Sequence, residues 1–503
     1  MEHAASAENK WVKTGIGGLD DVLGGGFAPN RMHLVEGNPG SGKTTLALRF
    51  LIEGQCQGER VLYVTLSETV EELRNAAASH GWDLTGVDLI ELVPDEGSLD
   101  REAEYTMFDP AEVELPEVLK VILAEVERIA PKRIVIDSLS ELRLLAQTSL
   151  RYRRYVLALK QFFMERNTTV LLLNDQSTSD AEVQLQSIAH GVLVLEQLAP
   201  EYGAERRRLR VVKLRATAYR GGYHDFRIVR GGLEVYPRLV AAEHRQDFAQ
   251  QRSTSGIAAL DHLLGGGLDY GTSTLVMGPA GCGKSTVTTQ YATAAASQGT
   301  SVAVFLFDES VTTWIIRAAG IGTDVQPQID AGRMSVQQID PAEMSPGEFI
   351  ALVRRAVEVN QARLIVIDSL NGYLNAMPEE RFLLIHLHEL LTYLGQQGVA
   401  TLLILGQHGL IGQHMQTPVD VSYLADTIIL LRYFEMSGEV RHAISVLKKR
   451  SGHHDGSIRE LTMSAAGLAV GEPLRGFRGI LTGVPMLLGQ DQLRKDSDDE
   501  LSR

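Results

Sequence analysis

Short apolar runs alternate along the chain with longer stretches in which apolar residues recur every three or four positions, and the alternation is played through twice. In the first half the runs are RMHLVEG (31–37), RVLYVTLSE (60–68), a segment near 88–93, RIVIDSLS (133–140) and TTVLLLND (168–175). The spacing between them predicts helices over 45–58, 70–80, 116–130 and 150–165, the first closed by Gly58 as a C-cap. A run of strands between 190 and 236 completes the half. The second half repeats the plan with TSTLVMG (272–278), SVAVFLFDES (301–310), RLIVIDSLNGY (363–373), ATLLILGQH (400–408) and terminal strands over 426–448. Apolar strands separated by helices predict an α/β fold, a mostly parallel central sheet with helices on both faces, ended by an antiparallel region.

The repetition extends to the letters. TGIGGLDDVLGGGF (14–27) returns as TSGIAALDHLLGGGL (254–268). The 503 residues are therefore read as two similar domains, 10–240 and 254–486, with the polar stretch 241–253 as linker and the charged stretch 487–503 as a mobile tail. Glu68 and Asp137 are 69 residues apart, whereas Glu309 and Asp368 are 59 apart, so the first domain carries about ten extra residues. The acidic stretch DEGSLDREAE (95–104) is where they are expected.

Two apolar runs end in G-x-x-x-x-G-K-[ST], a loop whose backbone N–H groups turn inward on phosphate. The first comprises Gly37, Asn38, Pro39, Gly40, Ser41, Gly42, Lys43, Thr44 and Thr45; the second Gly278, Pro279, Ala280, Gly281, Cys282, Gly283, Lys284, Ser285 and Thr286. In each the lysine reaches the outer phosphates of ATP, Thr44 or Ser285 ligates Mg²⁺, and the helix that follows adds its positive end. Four apolar residues running into Asp137 and Asp368 supply a carboxylate to the same Mg²⁺ shell. Hydrolysis also needs a group that orients or deprotonates water, and Glu68 and the pair Asp308/Glu309 stand at the strand ends where such a group is expected. On a regular strand the adjacent carboxylates would point to opposite faces, one toward the nucleotide. Lys213 and Arg215, with Lys448 and Arg450 at an offset of 235, fit cations supplied to a neighbouring subunit's nucleotide, or a solvated strand face.

Composition narrows the setting. With 44% apolar and 22% charged residues the chain has an ordinary soluble balance, and a net charge of −15 argues against a nucleic-acid-coating role. Two cysteines, Cys56 and Cys282, exclude a disulfide framework and fit a reducing cytoplasm. The start, MEHAASAENK, is not that of an export signal, and no apolar run approaches the ~20 residues of a membrane span, so neither export nor insertion is expected.

Over nearly its full length the chain resembles the KaiC family of RecA-like P-loop ATPases. The resemblance is carried by the duplicated GIGGLD and phosphate-loop blocks, the TLSE and FDES strand ends, the two IVIDSL runs, DTIILLRY (426–433), the two basic strands and FRGILTGVP (477–485). It implies two tandem RecA-like domains, a double-ring homo-hexamer with ATP between subunits, slow hydrolysis, and serine/threonine autokinase and autophosphatase activity in the second ring. Matched from Asp426 backward, the phosphorylated pair falls on Ser422 and Tyr423. The catalytic glutamate pair falls on Ser67/Glu68 and on Asp308/Glu309, leaving one carboxylate fewer in the first domain. A KaiB-like partner on the first ring is compatible with the resemblance, and the short tail counts against a KaiA-type activator. A RecA/DnaB-like nucleic-acid-dependent ATPase is the alternative, supported by RYRR (151–154) and ERRRLR (205–210), which read more simply as an exposed helix face and an intersubunit strand. A nucleotide-gated scaffold without turnover is the third.

Overall fold

Strands form where the apolar runs fall, and those at the centre of the sheet are buried through most or all of their length. Every position of β1 (Met32–Gly37), β2 (Val61–Thr65) and, after β3 (Asp88–Glu91), of β4 (Arg133–Asp137) is covered. These runs show no polar alternation because parallel strands are packed on both faces. Leu34, Leu62 and Ile134 meet Leu119, Val156 and Phe163 of helices Pro110–Ile129 and Ser149–Glu165 on one face. On the other, Val35, Tyr63 and Val135 meet Leu46, Phe50 and Leu51 of helix Lys43–Cys56.

The computed structural model describes residues 11–92, 110–175, 185–200, 202–375, 383–407, 421–481 and 486–487. It divides into two units, Met1–Arg238 and Leu239–Arg503. The first unit adds β5 (Thr169–Asp175), β6 (Gly191–Leu198), β7 (Arg206–Leu214), β8 (His224–Val229) and β9 (Gly232–Tyr236). Its sheet runs in the order β3-β2-β4-β5-β1-β6-β7-β8-β9, parallel from β3 to β6 and antiparallel beyond. The second unit opens with a two-strand pairing of β10 (Arg252–Ser253) and β11 (Leu268–Asp269). Its main strands are β12 (Ser273–Gly278), β13 (Val302–Leu306), β14 (Met334–Gln338), β15 (Leu364–Asp368), β16 (Ala400–Gly406), β17 (Thr427–Met436), β18 (Glu439–Lys449), β19 (Arg459–Ser464) and β20 (Gly467–Pro473). They lie in the order β14-β13-β15-β16-β12-β17-β18-β19-β20, the same topology as the first sheet. The expected α/β class with two tandem RecA-like domains is what the chain forms.

Boundaries shift in places. The strand expected over 133–140 stops at Asp137, because Ser138 takes an extended cap conformation and helix Leu139–Ala146 begins. The helix expected at 116–130 starts earlier, at Pro110, a residue that loses no hydrogen bond in a first helical turn. Chain from Leu239 onward packs with the second unit: Leu239 and Ala241 are in its core, and the Ala241 N–H donates to Glu389 at 3.1 Å. The acidic stretch 95–104 and residues 488–503 lie outside the described residues. Among the described residues no helix is long and apolar enough to cross a membrane.

Candidate nucleotide sites

β1 and β12 sit mid-sheet, each between two parallel neighbours, and each runs through its glycine loop into a 14-residue helix. Gly42 and Gly283, the residues before those helices, have φ of 100° and 99°, a conformation only glycine takes cheaply. Gly37 and Gly278 press on the next strand, where a Cβ would stand 2.6 Å from the Leu195 carbonyl oxygen and 2.5 Å from that of Leu431. Neither helix N-terminus has a side-chain cap, so its N–H groups face the loop, the arrangement that binds anions. Asn38, Pro39, Gly40, Ala280 and Gly281 form the exposed rims, while Ser41 and Cys282 are buried beneath them. The Thr45 hydroxyl lies 3.5 Å from His80 Nε2, and Thr286 is buried.

The lysines lie over their loops. Lys43 Nζ donates to the carbonyls of Gly37 (2.8 Å) and Asn38 (3.1 Å) and pairs with Asp175 at 3.0 Å. Lys284 Nζ donates to the Pro279 carbonyl at 2.7 Å, and burial lowers its proton affinity.

Beside each lysine stands the strand-end aspartate. Asp137 Oδ2 accepts from the Tyr63 hydroxyl at 2.6 Å and from Thr44 at 3.5 Å. Burial raises its pKa, those two hydrogen bonds and Lys43 pull it down, and Asp175 pushes it up. Asp368 is more deeply held. Burial chiefly, with the charges of Glu309 and Asp308, pushes it up to about 6 against the Ser285 hydrogen bond and Arg317. Its Oδ2 is buried with no hydrogen-bond partner among the described residues, an acceptor of the kind a hard divalent cation or its water shell takes. Among the described residues no three acidic, His or Cys side chains group to hold a metal alone, so phosphate oxygens would have to complete such a shell.

The second site opens on a cavity of about 440 Å³ lined by Lys284, Ser285, Asp308, Glu309, Arg317, Asp368 and Gln407, among others. Both Asp308 and Glu309 line it, which corrects the expectation that they point to opposite faces. β13 ends at Leu306, and the bend that follows frees both from strand alternation. Glu309 is gripped by Arg317, Nη2 at 2.5 Å from Oε1 and Nε at 3.3 Å from Oε2, while Asp308 accepts from the Ser369 hydroxyl. In the first unit Ala76 stands where Arg317 does, at the loop offset of 241. Burial, then the charges of Asp137 and Glu72, raise the pKa of Glu68.

The basic pairs stand elsewhere. Lys213 lies opposite Val192 and Lys448 opposite Ile428, at the start of β6 and β17, the strand ends remote from the same chain's loop. Lys213 donates to the Gln186 carbonyl and Arg215 to that of Ser187 at 2.7 Å; Lys160 donates to Ile188 at 2.8 Å beside them. Burial lowers the proton affinity of Lys213 and Lys160, and mutual repulsion with Arg215 lowers both further. Among the described residues no carboxylate is within ion-pair distance of these three cations. Lys448 donates to the carbonyls of Ser422 (3.2 Å) and Ala425 (2.8 Å), and Arg450 to that of Tyr423 (3.0 Å). Ser422 and Tyr423 thus occupy a turn held by the basic strand, with the Tyr423 side chain 57% exposed.

Tyr63, Asp175, Arg317 and Lys449 escaped sequence reasoning. Lys449, between the two basic candidates, turns inward to Asp269 at 3.0 Å and to the Leu264 carbonyl at 2.5 Å. The basic run 205–210 is largely matched in place, Arg207 by Glu205 at 2.6 Å and Arg208 by Glu196 at 2.8 Å.

The model of the KaiC ATPase family matches residues 12–240 and 253–475. The chain is 28% identical over 502 residues to a protein of Synechocystis sp. named circadian clock protein KaiC3, covering 96% of each. It is 27% identical over 510 residues to the circadian clock oscillator protein KaiC of Synechococcus elongatus, covering 100% of this chain and 95% of that one.

Proposed function

The chain belongs to the KaiC family of ATPases, and from that premise we propose that it is a homo-hexameric signalling ATPase whose second ring phosphorylates itself on Ser422. The carrying observation is an opposition within each unit: the phosphate loop follows the C-terminal end of its strand, and the basic residues, with the Ser422 turn in the second unit, lie at the N-terminal ends of the parallel strands. One chain cannot bring the two together, whereas head-to-tail neighbours in a ring can. The cations Lys160, Lys213 and Arg215, held by backbone carbonyls and met by no carboxylate among the described residues, would then meet an anion presented by the next subunit.

In this reading ATP is held by residues 37–45 and 278–286. Mg²⁺, held by Thr44 with Asp137 and by Ser285 with Asp368, supplies charge neutralisation at the phosphates. In the second ring Asp308 takes the hydroxyl proton of Ser422 from the neighbouring chain. The Ser422 oxygen bonds to the γ-phosphorus as the bond from that phosphorus to the β-phosphate oxygen breaks, leaving ADP. Asp308 is favoured over Glu309 because Arg317 engages both Glu309 oxygens. Lys448 and Arg450 offset charge on the transferring group. In the first ring Glu68 orients water, so that ring only hydrolyses. Tyr423 offers a second, longer acceptor. The relatives' names support a reading in circadian timing, and within it a KaiB-like protein is the first-ring partner to test.

Intact-mass analysis and phosphopeptide mapping after incubation with Mg²⁺ and ATP test it. Phosphate on the 417–426 segment is expected, absent in Lys284→Ala and in Ser422→Ala, with nucleotide binding retained by the latter. Unchanged labelling of Ser422→Ala would remove Ser422 as the acceptor.

A further inference from the structure

The two nucleotide sites share a topology but not a charge balance. Strand register sets Asp175 of β5 opposite Gly37 and, in the second unit, Gly406 of β16 opposite Gly278. A carboxylate therefore stands beside the first phosphate loop where the second has no side chain. Asp175 is not loosely placed: Oδ1 lies 3.0 Å from Lys43 Nζ, Oδ2 accepts from the Ser140 hydroxyl at 3.1 Å, and its own N–H donates back to that hydroxyl at 3.3 Å. In the second unit Asn371, at the same repeat offset as Ser140, bonds instead to the Gly406 backbone, its amide donating to the carbonyl at 3.0 Å and accepting from the N–H at 2.6 Å. There a neutral amide closes the corner that Ser140 and Asp175 occupy in the first.

We propose that Asp175 is a specificity-determining residue that sets the first site against nucleoside triphosphate relative to diphosphate, a restraint the second site lacks. The inference rests on the nucleotide-site reading above. A phosphate-loop lysine reaches the β- and γ-phosphates. At ion-pair distance from Lys43, Asp175 competes with the terminal phosphate for one ammonium and repels it as a like charge. A diphosphate ends one phosphate short and meets less of that repulsion. Lys284 is met by the Pro279 carbonyl, which carries no net charge to set against a triphosphate.

The test uses the full chain carrying Lys284→Ala, so that the first site reports alone, titrated with fluorescent ATP and ADP analogues in Mg²⁺. Asp175 is 46% exposed, and a neutral replacement leaves Lys43 its two carbonyl partners, so folding is expected to survive. Asp175→Asn and Asp175→Gly are expected to tighten ATP about tenfold while ADP changes less than about twofold, and Asp175→Glu to keep the original ratio. An unchanged or lowered preference for ATP in both neutral variants overturns the proposal. So does an Asp175→Asn protein that binds ATP as before but no longer hydrolyses it, since the carboxylate would then act on water. Adding Lys43→Ala separates the two levels of inference. If binding survives that change, the nucleotide site itself is misassigned; if binding is lost but Asp175→Asn has no effect, only the role of Asp175 fails.

Discussion

Asp368→Asn should make the second unit more stable while disabling it. Asp368 is buried, and its carboxyl is pushed up to about 6 by burial and by the neighbouring charges of Glu309 and Asp308. Holding it ionised at pH 7, when an unfolded chain would ionise it near ~3.9, costs the folded state about 3 kcal/mol. Below the ordinary aspartate range the group is protonated in both states and the cost is absent. As pH rises toward 6 the unfolded chain releases its proton first, so stability falls; above about 6 the full cost is present. Asparagine keeps an oxygen for the Ser285 hydroxyl and carries no charge. The variant should therefore slow hydrogen exchange of the β13 and β15 amides roughly a hundredfold at pH 7 without nucleotide, if those amides exchange through global opening. The gap should close near pH 4, and protection by Mg²⁺–ATP should be lost. Equal exchange of parent and variant at pH 7, or a gap that persists at pH 4, would refute the reasoning.

Arg133, 1% exposed, pairs with Glu59 at 2.5 Å and donates to the Lys13 and Phe50 carbonyls at 2.7 and 2.9 Å. Arg133→Ala should destabilise the first unit by roughly 3–5 kcal/mol, seen as faster exchange in β2, β4 and β5 with the second unit unaffected. For the cations, a Lys43→Ala chain co-assembled in equal amount with a Lys213→Ala/Arg215→Ala chain, both carrying Lys284→Ala, should regain first-ring ATPase at about a quarter of the interfaces, although each alone has none. No recovery would mean that Lys213 and Arg215 do not act across a subunit boundary.

The sheets and both loops were legible because their signals are local. A short apolar run rich in β-branched residues and bounded by turn signals reads as a two-sided strand, and the glycines with the lysine and hydroxyl that follow them mark a phosphate loop before a helix. Asp137 and Asp368 were legible as the last residue of such a run. Tyr63 was not, because within VLYVT it reads as core, and only the sheet sets its hydroxyl against Asp137 from the neighbouring strand. Arg317 lies two helical turns beyond Glu309, a pairing that depends on how helix Val311–Gly320 leaves the bend. The expected split of Asp308 from Glu309 failed for the same reason, since alternation holds only while the strand lasts.

The differences between the two nucleotide sites chiefly concern charge around one shared framework. In the first unit the lysine is paired with Asp175, Asp137 is hydrogen-bonded by Tyr63, and Glu68 has no arginine at the position of Arg317. In the second, Asp308, Glu309 and Asp368 line one cavity with Lys284 and Arg317, only Glu309 is ion-paired, to Arg317, and Asp368 keeps a buried oxygen without a partner among the described residues. A lysine already ion-paired from within gains little from a further anion, whereas a buried carboxylate oxygen left unsatisfied gains most from a cation that arrives with phosphate. Magnesium nucleotide should thus stabilise the second unit more than the first, and within the proposed function that makes the second ring the one whose conformation reports nucleotide state.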